Sequence, residues 1–225
     1  MSDPIPEELS TIYRQRFTGQ EVYRGKIWDI LTAWFEKNCL NGAKAVLDLG
    51  CGYGEFINKV NASTRYAMDL NPDSAARLQP GVKFLEQDCS APWQVEPASL
   101  DAVFTSNFFE HLPNKDCLRK TLGEALRALR PGGRLIAMGP NIGLLNGVYW
   151  DFYDHHVALT EKALGEALQT CGFRVIRENK AFLPYTMSEG FQPPPILMQW
   201  YLEMPFAWRF MGKQFLVVAE KPAAR

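Results

Sequence analysis

The run Val46-Leu47-Asp48-Leu49-Gly50-Cys51-Gly52-Tyr53-Gly54 restricts the fold more than any other part of the chain. A short apolar stretch that ends in alternating glycines reads as a buried strand passing at once into a tight turn. Glycine reaches backbone conformations closed to other residues and lets a ligand approach the main chain. In an open α/β sheet such a turn lies at the carboxyl edge, where ligands bind. The plain alternative is a strand-to-helix turn with no ligand.

The rest of the chain alternates between the two periodicities. Ile27, Ile30, Leu31, Trp34 and Phe35 predict an amphipathic helix over residues 26–40, closed by Asn41-Gly42. Strands are predicted at 45–49, 65–69, 82–86, 100–105, 134–138, 173–177 and 214–219. Helices are predicted at 54–61, from Pro72 to about Gln79, over 114–129 until Pro131-Gly132-Gly133 stops it, and from the cap Thr160 to Gly172. The alternation predicts an α/β fold with a doubly wound, mostly parallel seven-stranded sheet and helices on both faces.

This predicts a single domain with two additions. Residues 1–42 form an N-terminal helical cap, and 43–179 with 213–222 form the core. Residues 180–212 contain Pro193-Pro194-Pro195 and a dense apolar and aromatic set. A structureless loop of that length is unusual, so one or two short helices are expected there, as a lid, a pocket wall or a homodimer contact.

Composition narrows the partners. A formal net charge of -1 does not suit neutralisation of a phosphate backbone, so nucleic acid is disfavoured. The five cysteines are odd in number, widely spaced and free of Cys-x-x-Cys, which suggests neither a disulfide framework nor a zinc site, and no other metal is expected. A reducing cytoplasm is the natural setting. No signal core or transmembrane stretch is visible.

The glycine turn discriminates between cofactors. A dinucleotide fingerprint wants a small residue where this chain has Glu55, a bulky anion near the place of a pyrophosphate. No Gly-Lys-Ser/Thr follows, so a P-loop is absent. A nicotinamide dehydrogenase is therefore disfavoured. S-adenosylmethionine carries no phosphate and meets no such conflict. Acceptors stand at or near three successive strand ends: Asp48, Asp69 for ribose hydroxyls, and Asp88 for an adenine amine.

On these residues the chain resembles the class I S-adenosylmethionine-dependent methyltransferases, in particular the broad small-molecule group. The matching runs are VLDLGCGYG at 46–54, YAMDLNP at 66–72, FLEQDCSAPW at 84–93, LDAVFTSNFFEHL at 100–112 and LRPGGRLIAMGP at 129–140. The resemblance implies a Rossmann-like methyltransferase fold with an antiparallel last strand, and a transferase that turns S-adenosylmethionine into S-adenosylhomocysteine. It implies that the backbone at Gly50, Cys51 and Gly52 lines the methionine part, Asp69 and Leu70 hold the ribose, Asp88 and Cys89 frame the adenine, and Asn107 meets the methionine end through its backbone. Arg24 and Tyr13 are the cap candidates for the methionine carboxylate, with Arg14 and Arg16 as alternatives.

Methyl transfer from a sulfonium needs alignment and exclusion of water, and a base if the acceptor is a hydroxyl. The three histidines are the candidates. His111 lies in Phe109-Glu110-His111-Leu112, a run that recurs in the family with varied substrates and so reads chiefly as a structural or cofactor-loop residue. His155 and His156 end an aromatic loop before Thr160. There they could act as bases, or pack with a ring bonded to backbone. The expected acceptor is a small molecule methylated at oxygen, a sugar or glycolipid intermediate being the first candidate. The opposing class is a binding module that keeps the fold without catalysis.

Overall fold

A computed structural model of the chain describes residues 21–185 and 192–223. These residues form one sheet of β1 (Ala45–Leu49), β2 (Thr64–Asp69), β3 (Val82–Glu86), β4 (Leu100–Ser106), β5 (Leu129–Pro140), β6 (Arg174–Asn179) and β7 (Gln214–Glu220). The order is β3-β2-β1-β4-β5-β7-β6. Neighbours from β3 to β5 are parallel, and β7 runs antiparallel to both β5 and β6. The order reverses direction between β1 and β4. That is the switch point at which open α/β sheets leave a crevice for ligands.

Successive residues of the inner strands feed opposite faces, as a period of two requires. Leu47, Val103, Leu135 and Val217 face α2 (Lys115–Ala128) and α4 (Glu161–Thr170). Val46, Phe104, Ile136 and Val218 face α1 (Glu21–Asn38), α5 (Pro195–Leu202) and α6 (Pro205–Met211). α3 (Ile142–Leu145) is a single turn after β5. Phe35 of α1 is fully buried against Phe104, which itself stacks on Phe56 at 3.8 Å between centroids. Burying one such ring stabilises the fold by roughly 1.5–3 kcal/mol. Thr160 caps α4 as expected, its hydroxyl accepting from the Ala163 amide at 3.1 Å.

Three expectations need correction. Residues 54–61 form overlapping turns, not a regular helix; Asn58 N donates to Gly54 O and Val60 N to Phe56 O. Gly54 sits at φ 76°, outside the right-handed helical region, so the segment cannot begin as one. The segment after Pro72 is a 3-10 helix, Pro72–Arg77. β5 starts at Leu129 and not after the Pro-Gly-Gly run, because the chain extends as soon as α2 ends and Gly132 N is paired to Lys221 O.

The 180–212 segment does hold two short helices, α5 and α6. Part of it is core. Tyr201, Leu202 and Trp208 are buried, with Tyr201 Oη donating to Phe182 O at 2.6 Å and Trp208 Nε1 to Tyr201 O at 2.9 Å. Trp200, Phe206, Phe210 and Met211 remain exposed. No helix among the described residues is long and apolar enough to cross a membrane.

Candidate active site

The glycine turn follows β1 at the switch point. Gly50 N and Cys51 N donate to Met68 O, which ties the turn to β2. Gly50 has φ 69°, and a Cβ there would stand 2.3 Å from the Phe108 ring. Only glycine fits both demands. Gly52 N donates to Asp69 Oδ2 at 2.8 Å, and Asn71 N to Asp69 Oδ1 at 2.9 Å. Each carboxylate oxygen thus holds one amide and keeps lone-pair capacity for ligand hydroxyls. Burial raises the Asp69 carboxyl above its ordinary value, while the amides of Asn71, Gly52 and Leu70 pull it back.

Asp48 is placed differently from the other acceptors. It is 3% exposed. Burial pushes its carboxyl well up, the nearby charges of Glu55 and Asp69 add to this, and the Ile57 amide opposes it. Its carboxyl meets the Ile57 amide, in the turns that follow the glycine run. Leu70 is exposed at the end of β2. Asp88 folds on its own loop, accepting from Ser90 N at 2.7 Å and Ser90 Oγ at 2.9 Å. The Cys89 thiol turns into the core against Thr121, so only its backbone lies at this loop, and Trp93 Nε1 already donates to Cys89 O.

Asn107 follows β4 in the left-handed region at φ 50°, a conformation Asn tolerates better than most residues. Its amide is used by Met138 O, while its Oδ1 is buried with no hydrogen bond among the described residues. Arg24 does reach the glycine turn. Its Nε and Nη2 both bond Glu55 Oε1, at 3.1 and 2.6 Å. A cleft lined by Glu21, Arg24, Tyr53, Glu55 and Arg77 opens there. Arg24 therefore offsets the anion that counted against a phosphate, and its fork is engaged by Glu55. Tyr13, Arg14 and Arg16 lie outside the described residues.

The histidines separate. Glu110 O accepts from His156 N at 2.7 Å and Val157 N at 3.1 Å, which docks the 152–157 loop onto the 3-10 turn Phe109–His111. His111 Nδ1 lies 3.0 Å from Asp154 O and 3.1 Å from Asp154 Oδ2. Burial pulls the imidazole down, but the Asp154 hydrogen bond and the Glu110 charge outweigh it and leave it above its ordinary value. His155 is buried, its Nδ1 bonded to Tyr149 O at 2.8 Å and its ring stacked on Phe152. That is the backbone-bonded arrangement weighed for this loop. His156 is exposed. The structure thus brings His111 and His155 together, 5.1 Å between ring centroids, and leaves His156 at the surface.

The family described as a methyltransferase domain matches residues 20–178, well over half of the chain. The chain belongs to that family. No curated protein sequence matches this methyltransferase. Among solved structures it is similar to the methyltransferase in complex with the Trm112 activator of Haloferax volcanii, with 17% identity, TM-score 0.71 and 99% of each chain covered. It is also similar to an S-adenosylmethionine-dependent methyltransferase of Archaeoglobus fulgidus, with 18% identity, TM-score 0.65, and 91% of this chain and 99% of that one covered. A third is the N-methyltransferase NodS of Bradyrhizobium japonicum in complex with S-adenosylhomocysteine, with 14% identity, TM-score 0.62, and 92% and 91% covered. At these identities the likeness bears on the fold.

The methyl donor is S-adenosylmethionine. The residues present fit it: a glycine turn open to backbone approach follows β1, an aspartate pinned with spare acceptor capacity ends β2, and after β4 the buried Asn107 Oδ1 has no hydrogen bond among the described residues. Residues that sequence reasoning did not assign to the site are Phe108, Glu110, Tyr149 and Asp154. Two of them stand beside histidines in the chain, the signal by which they could have been found.

Proposed function

We propose that this methyltransferase methylates a hydroxyl of a small-molecule acceptor, a sugar or glycolipid intermediate. The observation that carries the proposal is the Glu110, His111 and His155 cluster at the carboxyl edge. The Glu110 carboxylate lies 3.5 Å from where a Cβ of Gly139, near the end of β5, would stand, and Phe108, just before this cluster, packs on Gly50. When bound, S-adenosylmethionine supplies an electrophilic methyl group with a neutral thioether as its leaving group.

On the donor side we assign Asp69 to the ribose, with Leu70 beside it, and the Asp88–Cys89 backbone to the adenine. The Gly50–Gly52 backbone and Asn107 face the methionine portion, and buried Asp48 supports the adjoining turns through the Ile57 amide. On the acceptor side the cluster disposes of the hydroxyl proton. Exposed Trp150 and Tyr153, on the stretch that carries His155, offer faces for sugar rings, and the exposed apolar face of α5 and α6 suits a lipid portion. That same face supports a second role, contact with another copy of the chain.

The test is turnover with S-adenosylmethionine against a panel of sugars, glycolipids and amines, with the methylated atom located by NMR. An O-methyl sugar product is expected. An N-methyl product overturns the acceptor assignment, and donor binding without any turnover favours the binding module.

A further inference from the structure

We infer that Glu110, His111 and His155 form a binding site for a divalent first-row transition-metal ion on the acceptor side. One donor atom from each of the three lies within 4.8 Å of the other two. Three such atoms share a point within about 2.8 Å of all, so closing to metal–ligand bonds of about 2.1 Å takes under about 1 Å of movement each. Rotamer adjustments on that scale leave the backbone alone.

The hydrogen bonds around the rings prepare them as ligands. His155 Nδ1 faces Tyr149 O, and a carbonyl can only accept, so Nδ1 carries the proton. His111 Nδ1 faces two acceptors, Asp154 O and Asp154 Oδ2, and by the same logic is protonated. In each neutral imidazole the lone pair is then on Nε2. The His111 Nε2 lies 4.0 Å from Glu110 Oε1. A histidine that gives its second N–H to a carboxylate or a backbone carbonyl is the arrangement that orients metal-binding rings and raises their basicity. Here both rings show it, from two separate loops.

The supporting frame is rigid and the site is reachable. Fully buried Tyr149 holds the last residues of the loop, its carbonyl accepting from His155 Nδ1 and its hydroxyl donating to Val157 O at 2.6 Å. Glu110 O grips the same loop through two amides. Glu110 and His155 are buried, while the His111 side chain is 26% exposed and offers a route from solvent. Two imidazole nitrogens and one carboxylate oxygen select zinc-like or iron-like divalent ions over magnesium and calcium. Three protein ligands leave a position open. An acceptor oxygen taking that position would lose its proton to water more readily, which is the ordinary effect of such an ion on a bound hydroxyl. That catalytic consequence rests on the proposed hydroxyl acceptor. The binding of the ion does not.

The experiment is titration of chelator-treated full-length protein with zinc by calorimetry, and with cobalt(II) by visible absorption. One ion per chain is expected, with a cobalt spectrum that shows ligand-field bands and no thiolate charge transfer. Glu110→Gln and His155→Gln should each weaken binding at least tenfold. Asp154→Asn should weaken it about tenfold to a hundredfold through the ring it orients. His156→Ala, which alters the exposed neighbour, should leave it unchanged. Absence of ligand-field bands in the wild-type protein, a thiolate band, or wild-type affinity in Glu110→Gln and His155→Gln overturns the site. S-adenosylmethionine binding is measured on the same samples. Protein that binds the donor and no ion loses the metal site while its methyl-transfer assignment stands.

Discussion

Replacing Gly50 by alanine tests the reasoning about the glycine turn most directly. Two penalties are separable in the structure. At φ 69° an L-residue sits in the left-handed region, which costs roughly 1–2 kcal/mol. The new methyl group also lands 2.3 Å from Phe108 Cγ and Cδ2 and 2.8 Å from its Cβ, an overpacking that costs about 1–3 kcal/mol once the ring moves. Together Gly50→Ala should lower unfolding free energy by about 2–5 kcal/mol. Urea titration followed by tryptophan fluorescence reads it. Phe108→Ala removes the ring but keeps the Cβ at 2.8 Å, so the double variant should recover part of the steric penalty and none of the backbone one. A coupling of about 1–2 kcal/mol is expected from the double-mutant cycle. A Gly50→Ala protein within about 0.5 kcal/mol of wild type, or two strictly additive substitutions, would refute the packing argument.

Other outcomes follow from single contacts. Asp69→Ala removes the acceptor of the Gly52 and Asn71 amides and should weaken S-adenosylmethionine binding by at least about tenfold in calorimetry, that is about 1.4 kcal/mol or more. Burial holds the Cys39 thiol up to about 11 against Arg177 and Arg134, burial holds Cys89 up to about 12, and burial raises Cys51 as well. A disulfide reagent near pH 8 should therefore spare these three until the protein is unfolded. These thiols stay protonated in the fold while the unfolded ones ionise. Their linkage leaves stability intact below about pH 9 and erodes it as pH rises towards about 11, which urea midpoints across that interval would show or deny. Thr160→Ala should cost about 1 kcal/mol by loss of the α4 cap, and an unchanged melting profile would contradict the capping geometry.

Much of this architecture was legible in the chain because it is local. β1 and β3 have the predicted bounds, since a five-residue apolar or alternating run between turn residues admits little else. Thr160 announced α4 in the same way. Asp69 is singled out by its place at the end of the second strand, while its bond to the Gly52 amide is not read from the sequence. What escaped is non-local. Nothing in the run of residues pairs Arg24 with Glu55, or His111 with Asp154, because each pair is joined only after the sheet sets the distance between loops. Gly54 defeated the helix expected at 54–61 through a backbone angle that apolar spacing does not encode. Among its described residues the aromatic 180–212 segment combines two environments, buried Phe182, Leu183, Tyr201, Leu202 and Trp208 beside exposed Trp200, Phe206 and Phe210, and hydrophobicity cannot tell them apart.

The place of β7 also governs how the chain must be assembled. β7 lies between β5 and β6, so β6 has no sheet neighbour other than a strand synthesised later. During translation β6 is complete at Asn179, yet the edges of β6 and β5 that β7 will cover stay open until Gln214–Glu220 emerges. Open strand edges recruit other chains. In that interval the ribosome delivers the aromatic stretch that will become α5 and α6, whose buried members still lack Leu216 and Val218 of the strand that closes the sheet. The nascent chain is most vulnerable to aggregation then, and a chaperone that binds extended apolar segments has its opportunity between β6 and β7.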